Sequence, residues 1–380
     1  MSDIDLHRHL IGQQGGRAGF NTPVLVLDRD ALARNIAAMA AFARAAGMGL
    51  RPHAKTHKSA AIARMQIEAG ALGVCCAKLG EAEALAGEGI DAILITSPVV
   101  TPQAIARLAA LHDRIADLRV VIDHPDNVDA IAEALAGSQR PLPVLVDVDP
   151  GIRRTGVASA EAAVGLARRI GGRKQLAYAG VQFYCGAQQH LESFADRRNA
   201  IEERTAYLQS VIEALTAEGL APRMISGGGT GTHRIDAALG VLNELQVGSY
   251  VFMDRQYRDC DLAGEGADKP PFETALFIDA SVISANAQGM ATLDAGFKAL
   301  STDGGVPQVV AGAPDGTMFV FMGDEHGALI APDQRFRVGD RVTLTAPHCD
   351  PTVNLYDVYH VVRGDCLIDL WPVTARGRSR

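Results

Sequence analysis

Residues 23–58 read PVLVLDRDALARNIAAMAAFARAAGMGLRPHAKTHK, and this stretch contains the unit from which the fold is built. A short β-rich run at 23–27 ends at Asp28. Leu32, Ile36, Met39 and Phe42 then recur at spacings of three and four, behind an acidic start able to cap a helix. A second β-rich run at 50–55 completes the unit. The alternation of short strand and Ala-rich amphipathic helix continues to Asp254, with strands predicted at 50–55, 73–77, 92–96, 119–123, 142–149, 178–184, 223–226 and 244–247. Eight such units in about 230 residues match a closed (β/α)8 TIM-type barrel, the preferred reading, although a doubly wound open sheet gives a similar string.

Beyond about Asp259 helical periodicity gives way to Gly-rich turns between short alternating runs, such as Val338-Gly339-Asp340-Arg341-Val342-Thr343-Leu344. That texture predicts an antiparallel β domain. The run at 23–27 precedes the first barrel helix and is assigned to it. The α/β chain therefore divides into a barrel over 28–259 and a second, mainly antiparallel β domain formed by 1–27 plus 260–380. The segment 260–271, rich in Gly, Asp and Pro, is the expected connector.

Composition narrows the function classes. The 380 residues are 48% hydrophobic and 21% charged, enough for a full core and unlike a disordered chain. Lys plus Arg number 36 against 44 for Asp plus Glu, a net charge of -8, so no basic footprint for nucleic acid or anionic lipid is expected. The apolar runs are far shorter than the roughly 18 residues a membrane span needs. Met1-Ser2-Asp3-Ile4-Asp5 is acidic where a secretory signal is basic, which predicts a cytoplasmic protein. Cys75 and Cys76 are adjacent while Cys185, Cys260, Cys349 and Cys366 are scattered, with no C-x-x-C pair, so they read as small buried hydrophobes.

Three clusters carry chemistry. The first is Arg51-Pro52-His53-Ala54-Lys55-Thr56-His57-Lys58. Alternation along a strand puts Arg51, His53 and Lys55 on one face, inward and toward the carboxyl end, where barrels build active sites. Lys55 is the expected nucleophilic amine, because neighbouring positive charge and partial burial favour its neutral form. Lys58, past the turn, reads as solvated. The second is Ser226-Gly227-Gly228-Gly229-Thr230-Gly231-Thr232, joined by Gly248-Ser249-Tyr250. These follow strands seven and eight, where barrels bind phosphate, and Gly228, Gly229, Thr230, Gly231, Gly248, Ser249 and Tyr250 are the expected cradle. A phosphorylated cofactor facing Lys55 across a barrel mouth points to pyridoxal 5'-phosphate. The third is Pro347-His348-Cys349-Asp350-Pro351-Thr352. On an extended segment His348 and Asp350 converge while Cys349 turns aside, a two-residue seat for a divalent metal.

With these clusters in place the chain resembles the D-threonine aldolases, within the fold-type III pyridoxal-phosphate family shared with D-serine dehydratases and alanine racemases. The matching segments are Thr22-Pro23 through Leu27-Asp28, 51–58, Gly73-Val74-Cys75-Cys76, Arg154-Thr155-Gly156, 226–231, 244–250, Asp324-Glu325-His326-Gly327 and 348–357. As an ordered set they span nearly the whole length. The resemblance implies a barrel plus β domain, Schiff-base attachment at Lys55, and a divalent metal at His348 and Asp350, with Mn2+ preferred over Co2+, Mg2+ or Zn2+. It further implies a homodimer, Arg154 near the cofactor's phenolic oxygen and Tyr184 near its ring. The dehydratase branch resembles His-x-Cys, whereas this chain carries His348-x-Asp350, which favours an aldolase.

The implied reaction is retro-aldol cleavage of a small-molecule D-β-hydroxy-α-amino acid, with Lys55, His348 and Asp350 as the catalytic set. D-threonine would give glycine and acetaldehyde. A metal-bound hydroxide, His53 and His57 are the unranked bases, and Asp324 reads as a plain turn carboxylate rather than support for the metal's waters. Three alternatives stay open: a β-hydroxyaspartate aldolase, a D-serine or 3-hydroxyaspartate dehydratase, and, from another class, a pyridoxal-phosphate carrier without turnover. A racemase needs a second base that no segment identifies.

Overall fold

The computed structural model describes residues 3–264 and 270–380. After a short helix α1 (Asp3–His7), strand β1 (Val24–Asp28) leads into α2 (Arg29–Ala45). The Asp28 carboxylate caps α2 by accepting from the backbone N–H groups of Asp30 and Ala31, both at 2.9 Å, and Leu32, Ile36 and Met39 are buried as their spacing predicts.

Eight parallel strands follow: β2 (Gly49–Leu50), β3 (Val74–Cys76), β4 (Ala92–Ile95), β5 (Asp117–Ile122), β6 (Leu142–Asp147), β7 (Leu176–Phe183), β8 (Met224–Gly227) and β9 (Glu244–Leu245), in the order β2-β9-β8-β7-β6-β5-β4-β3. The seam between β2 and β3 is closed just beyond β2. Cys75 N donates to Pro52 O at 2.8 Å and Ala54 N donates to Cys75 O at 2.7 Å, around a parallel bridge of His53 with Cys75. Outside the sheet lie α3 (Ala60–Glu68), α4 (Leu79–Gly87), α5 (Pro102–Arg114), α6 (Pro125–Ala134), α7 (Ala160–Gly171), α8 (Phe194–Ala217) and α9 (His233–Leu239). Residues of one pleat, such as Ile93, Val120, Val144 and Val146, pack against these helices in the main apolar cluster.

The other pleat faces a barrel interior that is only partly apolar. Cys75, Leu94, Val121, Leu145 and Met224 form a small cluster. The rest of the interior is a hydrogen-bonded chain. Gln182 Nε2 donates to Asp147 Oδ1 (2.9 Å), Gln246 Nε2 to Gln182 Oε1 (3.1 Å) and to Ser226 Oγ (3.0 Å), and Ser226 Oγ to Glu244 Oε1 (2.9 Å). Arg51 Nε donates to the same Glu244 oxygen at 3.2 Å. Arg51 is thus buried and paired at the amino-terminal floor, while His53, in its isolated bridge, and Lys55, in the turn that follows rather than on the strand expected over 50–55, reach the carboxyl-terminal mouth. Pairing is what allows so many polar groups to be buried at all.

After α10 (Arg255–Arg258), the chain enters a nine-stranded sheet built from β1 with β10 (Leu276–Ala287), β11 (Met290–Leu293), β12 (Gln308–Ala311), β13 (Met318–Phe321), β14 (Gly327–Ile330), β15 (Arg341–Thr345), β16 (Val358–Arg363) and β17 (Cys366–Pro372). All its pairings are antiparallel except β1 with β16. The short helix α11 (Cys349–Val353) interrupts it between β15 and β16. The connector expected over 260–271 includes residues 265–269, which lie outside the described residues, as do Met1 and Ser2. A second apolar cluster, including Leu25, Leu32, Val247, Phe252, Ile278, Leu344 and Tyr359, fixes this sheet to the side of the barrel. All six cysteines are free thiols and five are buried, as small hydrophobes would be. Among the described residues no helix is long and apolar enough to cross a membrane.

Candidate active site

The carboxyl ends of the barrel strands open into a cleft of about 520 Å³ lined by His53, Lys55, Lys78, Thr96, Asp123, Arg154, Tyr184 and Gln246, among others. Lys55 lies just past the β2/β3 seam. Its amine is 2.7 Å from Asp350 Oδ2, so the barrel lysine and the β-domain carboxylate meet directly. This places Lys55 well inside the roughly 15 Å of His348 that one small substrate can bridge. It also corrects the expectation of a neutral amine. The Asp350 charge, the largest influence, outweighs burial and raises the Lys55 pKa above its ordinary value. Burial opposes ionisation of Asp350, yet the Lys55 and His348 charges hold its carboxyl below the usual range.

His348 and Asp350 do not lie on an extended segment, as the sequence reading has them. His348 has φ -140° and ψ 126° and precedes α11, so Asp350 falls in the first helical turn. Cys349 does turn aside, being fully buried, and its N–H donates to Asp254 Oδ2 at 2.8 Å. The His348 backbone is pinned as well. Its carbonyl accepts from Ser301 Oγ (3.1 Å) and Thr352 Oγ1 (2.7 Å).

The supporting carboxylate is Asp303, which sequence reasoning missed because it lies 45 residues away on another loop. Its Oδ2 is 2.7 Å from His348 Nδ1, which leaves Nε2 as the nitrogen free to ligate. Asp324 is a turn carboxylate, exposed beside Lys298 at 3.8 Å. Among the described residues no group of three or more His, Cys, Asp or Glu side chains is gathered for a metal. A two-residue seat is nevertheless chemically suitable. Asp350 Oδ1 is buried with no hydrogen-bond partner, and a neutral imidazole beside a carboxylate suits a borderline or hard divalent ion.

The glycine-rich turn is built as a cradle, but not every expected donor is free. Gly229 N donates to Thr232 Oγ1 (3.1 Å), Gly231 N to Gln189 Oε1 (3.0 Å) and Tyr250 N to Thr230 Oγ1 (3.0 Å). The Tyr250 ring is fully buried and its hydroxyl accepts from Gln66 Nε2 at 3.0 Å. The backbone N–H groups of Thr230, Gly248 and Ser249 donate to no acceptor among the described residues and are the ones open to an anion. Gly228 belongs to the close approach of this turn to α9. The turn has no room for side chains: a Cβ on Gly231 would lie 2.1 Å from Gln189 O, and one on Gly248 would lie 2.7 Å from Thr56 Oγ1. Free amides in a glycine turn, a lysine at the same barrel mouth and an arginine opposite fit a phosphorylated aldehyde cofactor.

Arg154 lies 5.7 Å above the Tyr184 ring, and both line the cleft. His57, expected as a base, is fully buried, its pKa pushed down to about 4 by burial. It does not line the cleft. His53 does, with Nδ1 accepting from Lys55 N (3.3 Å) and Nε2 3.1 Å from Thr96 Oγ1, and burial holds its pKa well below the ordinary value. His190 was not singled out in sequence because nothing local marks it. It packs against Tyr257, the rings tilted at 47° with centroids 4.4 Å apart, and partial desolvation, then the His348 and Lys55 charges, keep its imidazole below its ordinary pKa. Lys58 is buried and paired with Glu81, not solvated: its φ of 50° turns it into the protein, and Glu81 is the compensating charge.

The comparisons with known proteins agree with this architecture. The family model described as "Alanine racemase, N-terminal domain" matches residues 27–256, and a serine dehydratase domain model matches residues 275–362. The 3-hydroxy-D-aspartate aldolase of Paracoccus denitrificans (strain Pd 1222) is 41% identical over 94% of this chain and 92% of the relative. The D-threonine aldolase of Arthrobacter sp. is 37% identical over 96% and 94%. The solved D-threonine aldolase of Filomicrobium marinum superposes with a TM-score of 0.89 at 36% identity, covering 96% of this chain and 97% of that one. The barrel mouth with its lysine, the adjoining β domain and these matches over almost the full length lead to one conclusion: the chain belongs to the alanine racemase N-terminal domain family and is a pyridoxal-phosphate-dependent carbon–carbon lyase within it.

Proposed function

We propose that this enzyme cleaves D-β-hydroxy-α-amino acids to glycine and an aldehyde, using pyridoxal phosphate at Lys55 and a divalent metal, Mn2+ by preference, at His348 and Asp350. The observation that carries the reading is the 2.7 Å contact between the Lys55 amine and Asp350. It brings the barrel lysine proposed to carry the cofactor against the β-domain segment proposed to hold the metal, within the reach of one small substrate. Two relatives named as aldolases support the same reaction type.

When bound, pyridoxal phosphate supplies an electron sink for the bond broken between Cα and Cβ. His348 Nε2 and Asp350 would hold a divalent metal, which would supply Lewis acidity at the substrate's β-hydroxyl. The chain's own residues do the rest. Thr230, Gly248 and Ser249 amides hold the phosphate, and Arg154 and Tyr184 close the cleft over the ring position. Asp303 keeps the His348 imidazole in the tautomer that presents Nε2. His190 is the favoured acceptor for the β-hydroxyl proton, because partial desolvation holds its pKa below the ordinary value and it has no hydrogen-bond partner among the described residues, whereas both His53 nitrogens are engaged. The family resemblance supports a homodimer. His348-x-Asp350 rather than His-x-Cys favours carbon–carbon cleavage over loss of the hydroxyl.

Product analysis with D-threonine, L-threonine and D-β-hydroxyaspartate, with and without a chelator, tests the reading. The expected outcome is glycine plus acetaldehyde or glyoxylate from the D-substrates alone, lost on chelation and restored by Mn2+. Formation of a 2-oxoacid and ammonia instead would make the enzyme a dehydratase. Cofactor binding without any product would make it a carrier.

A further inference from the structure

The loop from β7 to α8 carries His190 and is held on both sides of it. Before it, the buried Gln189 side chain is built into the glycine turn. Its Oε1 accepts from Gly231 N at 3.0 Å, and its Nε2 donates to Thr232 Oγ1 at 3.1 Å and to Cys185 O at 3.2 Å. After it, Arg197 of α8 donates through its two terminal nitrogens to Leu191 O and Asp261 O, while Asp261 N donates back to Glu192 O at 2.9 Å. Arg197 is fully buried, forms no ion pair among the described residues, and leaves its Nε without a hydrogen-bond partner. Burying a guanidinium without an opposite charge is costly, and here two carbonyl dipoles and the Phe194 ring, 5.7 Å away, offset it. The His190 imidazole rests on the Tyr257 ring. That ring is tied to the proposed metal seat through Asp254, whose Oδ1 accepts from Tyr257 N (3.2 Å) and whose Oδ2 accepts from Cys349 N (2.8 Å).

We infer that Arg197 is a positioning residue, whose guanidinium clamps this loop so that the His190 imidazole keeps its place against Tyr257, beside the His348 to Asp350 segment. The inference rests on the reading of His190 as the proton acceptor and adds the group that aims it. A proton acceptor must come within about 3 Å of the hydroxyl it serves, and a misplacement of about 1 Å costs on the order of 100-fold in rate. An imidazole with no hydrogen bond of its own goes where its backbone goes. Gln189 fixes that backbone on one side. On the other side Leu191 O is held by Arg197 directly, and Glu192 O is held by Asp261, whose own carbonyl Arg197 also holds. The planar fork of a guanidinium can span two carbonyls from separate segments in a fixed geometry, so its removal frees both at once.

The test is a double-mutant cycle on the holoenzyme at saturating Mn2+, with the faster of D-threonine and D-β-hydroxyaspartate as substrate. Arg197→Met should lower kcat by about 10- to 100-fold while KM stays within about twofold and the cofactor absorbance is unchanged. In a His190→Ala background the same substitution should change the residual kcat by less than about twofold, because the group it aims is gone. Amide hydrogen exchange in Arg197→Met should rise over 189–192 and at Asp261, and stay as it was over the glycine turn at 226–231. Should Arg197→Met fail to fold, Arg197→Lys keeps the buried charge and carries the same cycle with a smaller loss of kcat. An equal fractional loss in both backgrounds, an unchanged kcat or an unchanged exchange pattern would overturn the inference while leaving the proposed reaction standing. Full activity in His190→Ala would remove the proton acceptor and the inference together. A wild-type enzyme that yields no glycine from either substrate would instead remove the reaction and this inference with it.

Discussion

Replacing Asp350 by Asn removes the carboxylate that faces the Lys55 amine at 2.7 Å. A lysine captures an aldehyde only as the neutral amine, and the neighbouring carboxylate favours the charged form. The Lys55 side chain is 39% exposed, so water screens the pair. With an effective dielectric of about 60, Coulomb's law at this separation gives roughly 2 kcal/mol, about a thirtyfold change in proton affinity. The pH at which capture reaches half its limiting rate should therefore fall by about 1.5 in Asp350→Asn. The assay is stopped-flow mixing of cofactor-free protein with pyridoxal phosphate in chelator across a pH series, following the rise of visible absorbance. A faster limb on the acidic side, with cleavage of D-β-hydroxy amino acids lost, is the expected pair of results. An unchanged midpoint would refute the claim that Asp350 controls the protonation of the cofactor lysine.

Asp303→Asn should weaken metal binding by about 10- to 100-fold, measured by calorimetry on the holoenzyme, while the cofactor absorbance is unchanged. Glu81→Ala strands buried Lys58 and two backbone N–H groups, so urea denaturation should show a loss of about 3–5 kcal/mol. Asp236, raised to about 7 by burial, keeps its proton in the fold at pH values where the unfolded chain has lost it. Its contribution to stability therefore falls as pH climbs from about 4 to about 7, and Asp236→Asn should remove that slope in pH-dependent unfolding curves. Gly231→Ala forces a Cβ to within 2.1 Å of Gln189 O, and equilibrium titration should show weakened cofactor affinity with the far-ultraviolet dichroism retained.

The barrel was legible because each of its units repeats one local rule. Strands at 92–96 and 178–184 and the helix behind Asp28 are set by alternation, apolar spacing and a capping carboxylate, all of which act within a few residues. Lys55 was singled out on a two-residue period that holds only as far as His53; the lysine itself sits in the turn that follows and reaches the cleft from there. The burial of Lys58 was not legible, because whether a lysine past a turn is solvated or buried depends on Glu81, which α4 brings to it from 23 residues away. His348 and Asp350 were singled out correctly as neighbours but on the wrong local structure, an extended run in place of a helix start, because Cys349–Val353 carries too few residues for a periodic signal.

What the sequence alone determined, then, is the order of strands and helices and the glycine turn after β8, because each follows from backbone conformation and side-chain periodicity over a few residues. The Asp350 partner of Lys55, the burial of His57 away from the cleft, the Glu81 partner of Lys58 and the Asp303 partner of His348 were decided by the tertiary structure. They depend on which groups from distant segments come within a few ångströms of one another and on how much water remains between them, and proximity and desolvation exist only once the chain has closed on itself.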